Sequence, residues 1–294
     1  MLDQAEKLRE IMDKTKKKNN DIMENDNKTN AKVICITSGK GGVGKTNISV
    51  NLALNLSSMG KKVVVFDADF GLANVDVIFG ISVRYNLTSV LSGEKSILDI
   101  LAEGPNGVKF ISGGSGIREL TNLTTKELDN FINGIKQLNN IADIIIIDTG
   151  AGISESVINL IISSDKVFVV TTPEPTSFTD AYALIKTVNN MGYARDIGLI
   201  VNRAEDKKEG NEIYLKINNV CKRFLNVNLI NLGYVPYDMH VVKAIKMQTP
   251  FTIEYPNCNA SKQINNIAYS VINNGIQKEK GEISFFNRFL SYLK

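Results

Sequence analysis

The alternation of apolar and polar positions divides the chain into a polar opening, a long alternating body and a short amphipathic ending. From Lys32 onward, apolar runs of strand length alternate with one-sided patterns of helical period. Strands are predicted at Val33 to Thr37, Lys62 to Asp67, Val108 to Ser112, Asp143 to Asp148, Lys166 to Thr171, Asp196 to Asn202 and Asn228 to Tyr234. Continuous runs such as Ile144 to Ile147 are what strands buried on both faces require. Helical patterns at Asn47 to Met59, Thr125 to Asn139, Phe178 to Asn189 and Asn211 to Leu225 interleave with them. The predicted fold is therefore α/β: a doubly wound, mostly parallel sheet of about seven or eight strands with helices on both faces.

The two ends follow other patterns. Ala5, Leu8, Ile11 and Met12 make a short one-sided helix over residues 1–12, and residues 13–31, rich in Lys, Asn and Asp, have almost nothing to bury and predict a flexible tether. A marginal helix on a tether points to a binding partner, with docking on its own core as the plainer alternative. Residues 32–276 form the body. In residues 277–294 a polar linker precedes a helix whose Ile283, Phe286, Phe289, Leu290 and Leu293 share one face, while Arg288 and Lys294 can snorkel. The same stripe suits a helix packed on its own domain; the linker and the phenylalanines favour an anionic membrane surface.

Chemistry enters at Thr37-Ser38-Gly39-Lys40-Gly41-Gly42-Val43-Gly44-Lys45-Thr46, which satisfies G-x-x-x-x-G-K-[ST] between an apolar strand and a helix. A polyphosphate is wrapped by backbone N–H groups, and residues without a side chain let the backbone approach. Gly39, Gly41, Gly42 and Gly44 supply that clearance, with Val43 and Asn47 in the same wrap. Lys45 reaches the terminal phosphates, and the Thr46 hydroxyl is placed to ligate Mg2+. Asp67 and Asp69 end the second predicted strand and should enter the same crevice. Asp148, after four isoleucines, forms a Walker B arrangement near a hydrated magnesium, and Gly150 and Gly152 leave the next loop able to move and to offer an N–H to a γ-phosphate.

Composition narrows the picture. The 294 residues suffice for one α/β domain, 43% of them are hydrophobic, and no apolar run approaches membrane-spanning length. The charged beginning lacks the pattern of a secretory signal, so a cytoplasmic location is expected. Cys35, Cys221 and Cys258 have no paired spacing, which suits reduced thiols, and a single histidine, His240, excludes multi-histidine metal sites. A net charge of +3 gives no ground for nucleic-acid binding.

The run K-G-G-V-G-K-T, with Lys40 inside the wrap, resembles the deviant Walker A of the MinD/ParA/nitrogenase iron protein class of P-loop ATPases, within the SIMIBI NTPases. The resemblance implies that Lys40 crosses a dimer interface to the partner's nucleotide, so that an ATP-bound homodimer sandwiches two nucleotides; a solvated loop lysine is the plain alternative. It implies that Asp69, the second Asp of D-x-D, orients the attacking water beside the magnesium shell, with Asp67 in support; both could instead cap the following turn. It places Asn202, Arg203, Pro236 and Asp238 around an adenine, although Asn202-Arg203-Ala204-Glu205 echoes the guanine motif N-K-x-D and leaves the base open. Thr171 to Pro175 resembles the dimer-face segment of the class. Cluster-binding cysteines, a second phosphate loop and a terminal tyrosine cluster are missing, which sets aside the iron proteins, arsenite pumps and tyrosine kinases. Gly150 stands where cell-division members carry proline. Asp3-Gln4-Ala5-x-x-Leu8-Arg9 resembles the N-terminal segment of the FlhG (YlxH/FleN) family of flagellar regulators. This implies that Gln4 leads stimulation of the FlhF GTPase, that flagellar basal-body (C-ring) proteins are partners, and that the ATP-bound form sits peripherally on the inner face of the cell membrane. Cell-division or cargo positioning, and an adaptor in which ATP turnover is incidental, are the alternative readings.

Overall fold

The computed structural model describes residues 31–71, 73–114, 123–193, 195–273 and 285–293. The proposed partner helix with Gln4, and Ile283, lie outside the described residues, as do the side chains of Phe286, Leu290 and Leu293. In chain order the elements are β1 Lys32–Thr37, α1 Lys45–Ser58, β2 Val63–Ala68, α2 Val75–Phe79, α3 Leu87–Leu91, β3 Ala102–Glu103, β4 Lys109–Ile111, α4 Thr125–Leu138, β5 Ile144–Thr149 and α5 Glu155–Ser163. They continue with β6 Lys166–Thr171, α6 Pro175–Asn190, β7 Ile197–Ala204, α7 Lys207–Leu225, β8 Ile230–Pro236, α8 Met239–Lys246, α9 Phe251–Glu254, α10 Asn259–Asn273 and α11 Phe285–Leu293.

The strands form one eight-stranded sheet in the order β3-β4-β2-β5-β1-β6-β7-β8. Every pairing is parallel except β3 with β4, where a two-residue edge strand too short to register as a period runs antiparallel. Alternation works as the sequence predicts: Ile34 and Ile36 of β1 join the core under α1 and α10, while Val33 and Cys35 face the opposite layer. Both faces are covered, so β1, β2 and β5 are buried along their whole lengths. The central position of β1 brings the loop after it beside the carboxyl ends of β5 and β6, the crevice where α/β sheets bind ligands.

Two differences from the sequence expectation have physical causes. Helix α5, which the sequence expectation lacks, is a short and strongly apolar segment buried on all sides, from Ser156 through Ser163. What covers its outer side is α11, the expected membrane helix, which packs on α5 and α4. Phe289 is 2% exposed, with its ring 6.0 Å from Phe131 and 5.6 Å from Phe285. Arg288, expected at an anionic surface, is buried: its Nε donates to the Ser163 carbonyl at 2.8 Å and its Nη2 to Asp165 Oδ1 at 2.5 Å. An apolar stripe needs only an apolar neighbour, and the core supplies one together with a counter-charge. Among the described residues no helix is long and apolar enough to cross a membrane.

Candidate nucleotide site

The loop from Ser38 to Gly44 leaves β1 and enters α1. Gly44 sits at φ 90° as the N-cap of α1, a left-handed conformation that glycine adopts without strain, and a Cβ there would lie 2.3 Å from Asn202 Nδ2. At Gly41 and Gly42, by contrast, an added Cβ would meet no protein atom. The missing side chains there clear space on the outer side of the loop, where a phosphate chain would lie. The start of α1 adds its positive end to the same place.

Lys45 is buried, and its Nζ donates to Asp148 Oδ1 at 3.1 Å. Ser49, one turn along α1, donates to the same oxygen at 2.8 Å. The other carboxylate oxygen of Asp148 is buried without a partner among the described residues, as is Thr37 Oγ1 at the loop entrance. A hydrated magnesium fits these residues: it binds through one or two oxygen ligands, phosphates and its own waters, and an orphaned carboxylate oxygen can accept from such a water. Consistent with that mode, no three His, Cys, Asp or Glu among the described residues group as an all-protein metal cage. Cys35 is sealed in β1 with its thiol pushed far up by burial, and burial raises the thiol of Cys221, on α7, to about 11.

Asp67 stands opposite Asp148 in the β2–β5 register. Its carboxylate gathers the N–H groups of Asp69 at 3.1 Å, Asn74 at 2.8 Å and Val75 at 3.0 Å, folding the segment after β2 over the crevice. Burial, and secondarily the Asp148 charge, push this carboxyl up to about 7 against the pull of those N–H donors. Asp69 is held by that fold beside the loop after β5: a Cβ on Gly150 would lie 3.8 Å from Asp69 Oδ1. The segments carrying Asp69 and Gly150 therefore meet. Gly152, expected to offer its N–H to a γ-phosphate, donates to the Ser38 carbonyl at 2.9 Å, which ties this loop to the phosphate loop.

Beyond the loop, a cleft of 290 Å³ is lined by Gly44, Asn47, Asn202, Arg203, Pro236 and Asp238, with Ile48, Val235, Val241 and Phe251 supplying apolar wall. The expected base residues are thus gathered, but two have other duties. Asn202 Nδ2 donates to the Val43 carbonyl at 2.7 Å, which fixes this amide at the wall of the cleft. Asp238 caps α8, accepting from His240 N at 2.9 Å and meeting the imidazole Nδ1 at 2.8 Å. Partial burial favours its neutral form, yet these bonds prevail and hold its carboxyl below the usual range. Arg203 adopts φ 58° where the β7–β8 register breaks, an uncommon conformation for a non-glycine residue. Ser49 escapes sequence reasoning because a serine inside a helix carries no motif; its spacing four residues after Lys45 was the available sign. Lys40 lies in its own chain, 2.9 Å from both Glu174 Oε2 and Thr176 Oγ1.

Residues 29–272 match the ParA family, described as the NUBPL iron-transfer P-loop NTPase. The chain belongs to the MinD/ParA family of P-loop NTPases. It is 38% identical over 239 residues to the antiactivator FleN of Pseudomonas aeruginosa, covering 81% of this chain and 85% of that protein. It is 41% identical over 276 residues to the flagellum site-determining protein YlxH of Helicobacter pylori, covering 91% and 92%. These relatives put it with the FlhG branch of the MinD/ParA family. Among solved structures, MinD in the MinC:MinD complex of Aquifex aeolicus superposes with a TM-score of 0.68 at 26% identity, over 86% of this chain and 100% of that one. Magnesium-ADP-bound MinD of Pyrococcus horikoshii gives 0.67 at 25%, over 86% and 100%.

Proposed function

We propose that this chain is a magnesium-dependent ATPase switch that regulates flagellar number or placement. In this reading, ATP joins two copies through Lys40, the joined form associates with the inner face of the cell membrane, and hydrolysis separates them. The observation that carries it is the convergence of Lys45 and Ser49 on one oxygen of Asp148, with the other oxygen buried and without a partner among the described residues. The YlxH relative, a flagellum site-determining protein, supplies the flagellar client.

The work of each residue follows from its chemistry. Lys45 neutralises the terminal phosphates, and to do so it exchanges its Asp148 partner for them. Magnesium, which Thr46, Asp69 and Asp148 would hold, would supply charge neutralisation to the phosphates. Asp69 orients the attacking water in line with the leaving group, and Asp67 holds the segment that carries it. The N-terminal segment, led by Gln4, stimulates FlhF; C-ring proteins and an anionic membrane surface are the remaining partners in this reading. The test is phosphate release with Mg-ATP and Mg-GTP for the full chain and for Asp69→Ala. Turnover of ATP, and at least a hundredfold loss in the variant with nucleotide binding kept, are expected; an Asp69→Ala variant that cycles at the wild-type rate removes the mechanism.

A further inference from the structure

Helix α1 opens with Lys45, faces the cleft with Asn47 and, one turn later, buries Asn51 completely. A buried amide needs partners, and those of Asn51 define its orientation. Its Nδ2 donates to the Asn47 carbonyl at 2.8 Å; a carbonyl only accepts, so nitrogen and oxygen are told apart and the oxygen turns away from α1. That oxygen accepts from the Thr252 N–H at 3.0 Å and from the Thr252 hydroxyl at 2.8 Å. Thr252 lies in the first turn of α9, whose N-cap is Pro250. Proline carries no side-chain acceptor, so this short helix cannot cap itself, and the Thr252 N–H finds its acceptor 201 residues away on α1. Phe251, the neighbour of Thr252, supplies apolar wall to the cleft that Asn47 also lines. One amide thus ties the helix that begins at the phosphate loop to the wall at the far side of the cleft. Ser261 of α10 gives α9 a second hold, its Oγ lying 2.8 Å from the Tyr255 carbonyl oxygen and 3.3 Å from that of Phe251. Loss of the Asn51 bonds therefore shifts α9 without releasing it.

We propose that Asn51 is a positioning residue for the nucleotide base: through Thr252 it holds α9, and with it the Phe251 wall, in register with the phosphate loop. The proposal rests on the nucleotide reading above and gives Asn51 no contact with the ligand. Once the loop has gripped the phosphates, the base falls within a narrow range of distances from α1, and the wall meets it only if α9 stands at the matching distance. A displaced wall weakens the hold on the base and leaves the phosphates as they were. Binding lost equally from ground state and transition state raises KM and spares kcat. Asn51 accordingly governs the share of affinity that belongs to the base, while Lys45 and the glycine loop govern the share that belongs to the phosphates.

The test is calorimetric titration of the full chain with Mg-AMPPNP and with Mg-tripolyphosphate, a phosphate chain that has no base. Asn51→Leu keeps the side-chain volume and removes the acceptor; Thr252→Val keeps the shape and removes one donor. Asn51→Leu should weaken Mg-AMPPNP about five- to tenfold and leave Mg-tripolyphosphate within about twofold, with KM for ATP raised and kcat kept. Thr252→Val should act in the same direction by less, and it decides alone if Asn51→Leu does not fold. The double variant should bind Mg-AMPPNP no more weakly than Asn51→Leu, because both changes break one contact. Equal losses toward the two probes overturn the proposal, as does Mg-AMPPNP affinity unchanged in both variants. A wild-type chain that binds neither probe sinks the nucleotide reading and Asn51 with it; a wild-type chain that binds Mg-AMPPNP while the variants fail to respond condemns the role of Asn51 alone.

Discussion

Ser49 and Asp67 illustrate how much of this site rests on residues that touch no phosphate. Ser49 fixes Asp148 Oδ1 from the same helix that presents Lys45. Ser49→Ala removes one of the two side-chain donors to that oxygen and should lower kcat about tenfold, equivalent to ~1.4 kcal/mol in the barrier, with a smaller change in KM. Steady-state phosphate release against ATP concentration separates the two. Asp67 makes a different prediction, in pH. Burial and the Asp148 charge raise its folded carboxyl from the ordinary carboxylate range to about 7, so the folded chain holds a proton there that the unfolded chain has released. Its contribution is fully present below about pH 4 and is lost as pH rises through about 7, by up to about 1.4 kcal/mol per pH unit. Urea unfolding of the nucleotide-free chain between pH 5 and pH 7.5 should therefore show wild type losing stability relative to Asp67→Asn. A constant difference between the two across that range would contradict the assignment.

At the scale of elements, α11 is the clearest instance of a pattern with two meanings. Its spacing announced an amphipathic helix, and nothing in the spacing could say whether its neighbour was lipid or α5. Arg288 was decisive, but its partners Ser163 and Asp165 lie 125 and 123 residues earlier, beyond any local pattern. Asp165 is itself fixed by the Val33 N–H at 2.8 Å, so the receptor for Arg288 belongs to the sheet. Arg288→Ala leaves a buried carboxylate without its cation, a change that costs about 3–5 kcal/mol if the packing holds. We expect α11 to leave its seat instead, seen as faster amide exchange confined to α5 and α11, together with increased binding to anionic vesicles. Unchanged exchange in both helices would show that the phenylalanine contacts alone retain α11.

For the whole molecule, the parallel sheet was legible because each central strand is apolar on both faces and most of the long helices have a distinct period, α1 being buried nearly all round. Strand boundaries moved by one or two residues, since apolar runs do not mark where pairing stops. The phosphate loop, Asp69 and Asp148 were legible because their chemistry fixes residue type and spacing together. The duties of Asn202 and Asp238 were not: a hydrogen bond to Val43 spans 159 residues, and a helix cap looks like any other aspartate after a strand. The long-range geometry also defines what the molecule is for in this account, since Lys40 has a home in its own chain and a proposed destination in another. Lys40→Ala should leave single-chain nucleotide affinity within about threefold while abolishing pairing, measured by calorimetric titration beside sedimentation. The most direct test of the account is the solution mass of the Asp69→Ala chain, which should bind ATP without consuming it, measured with Mg-ATP and again with Mg-ADP. The account predicts twice the mass of one chain with Mg-ATP and the mass of one chain with Mg-ADP; a single-chain mass with both nucleotides would contradict it.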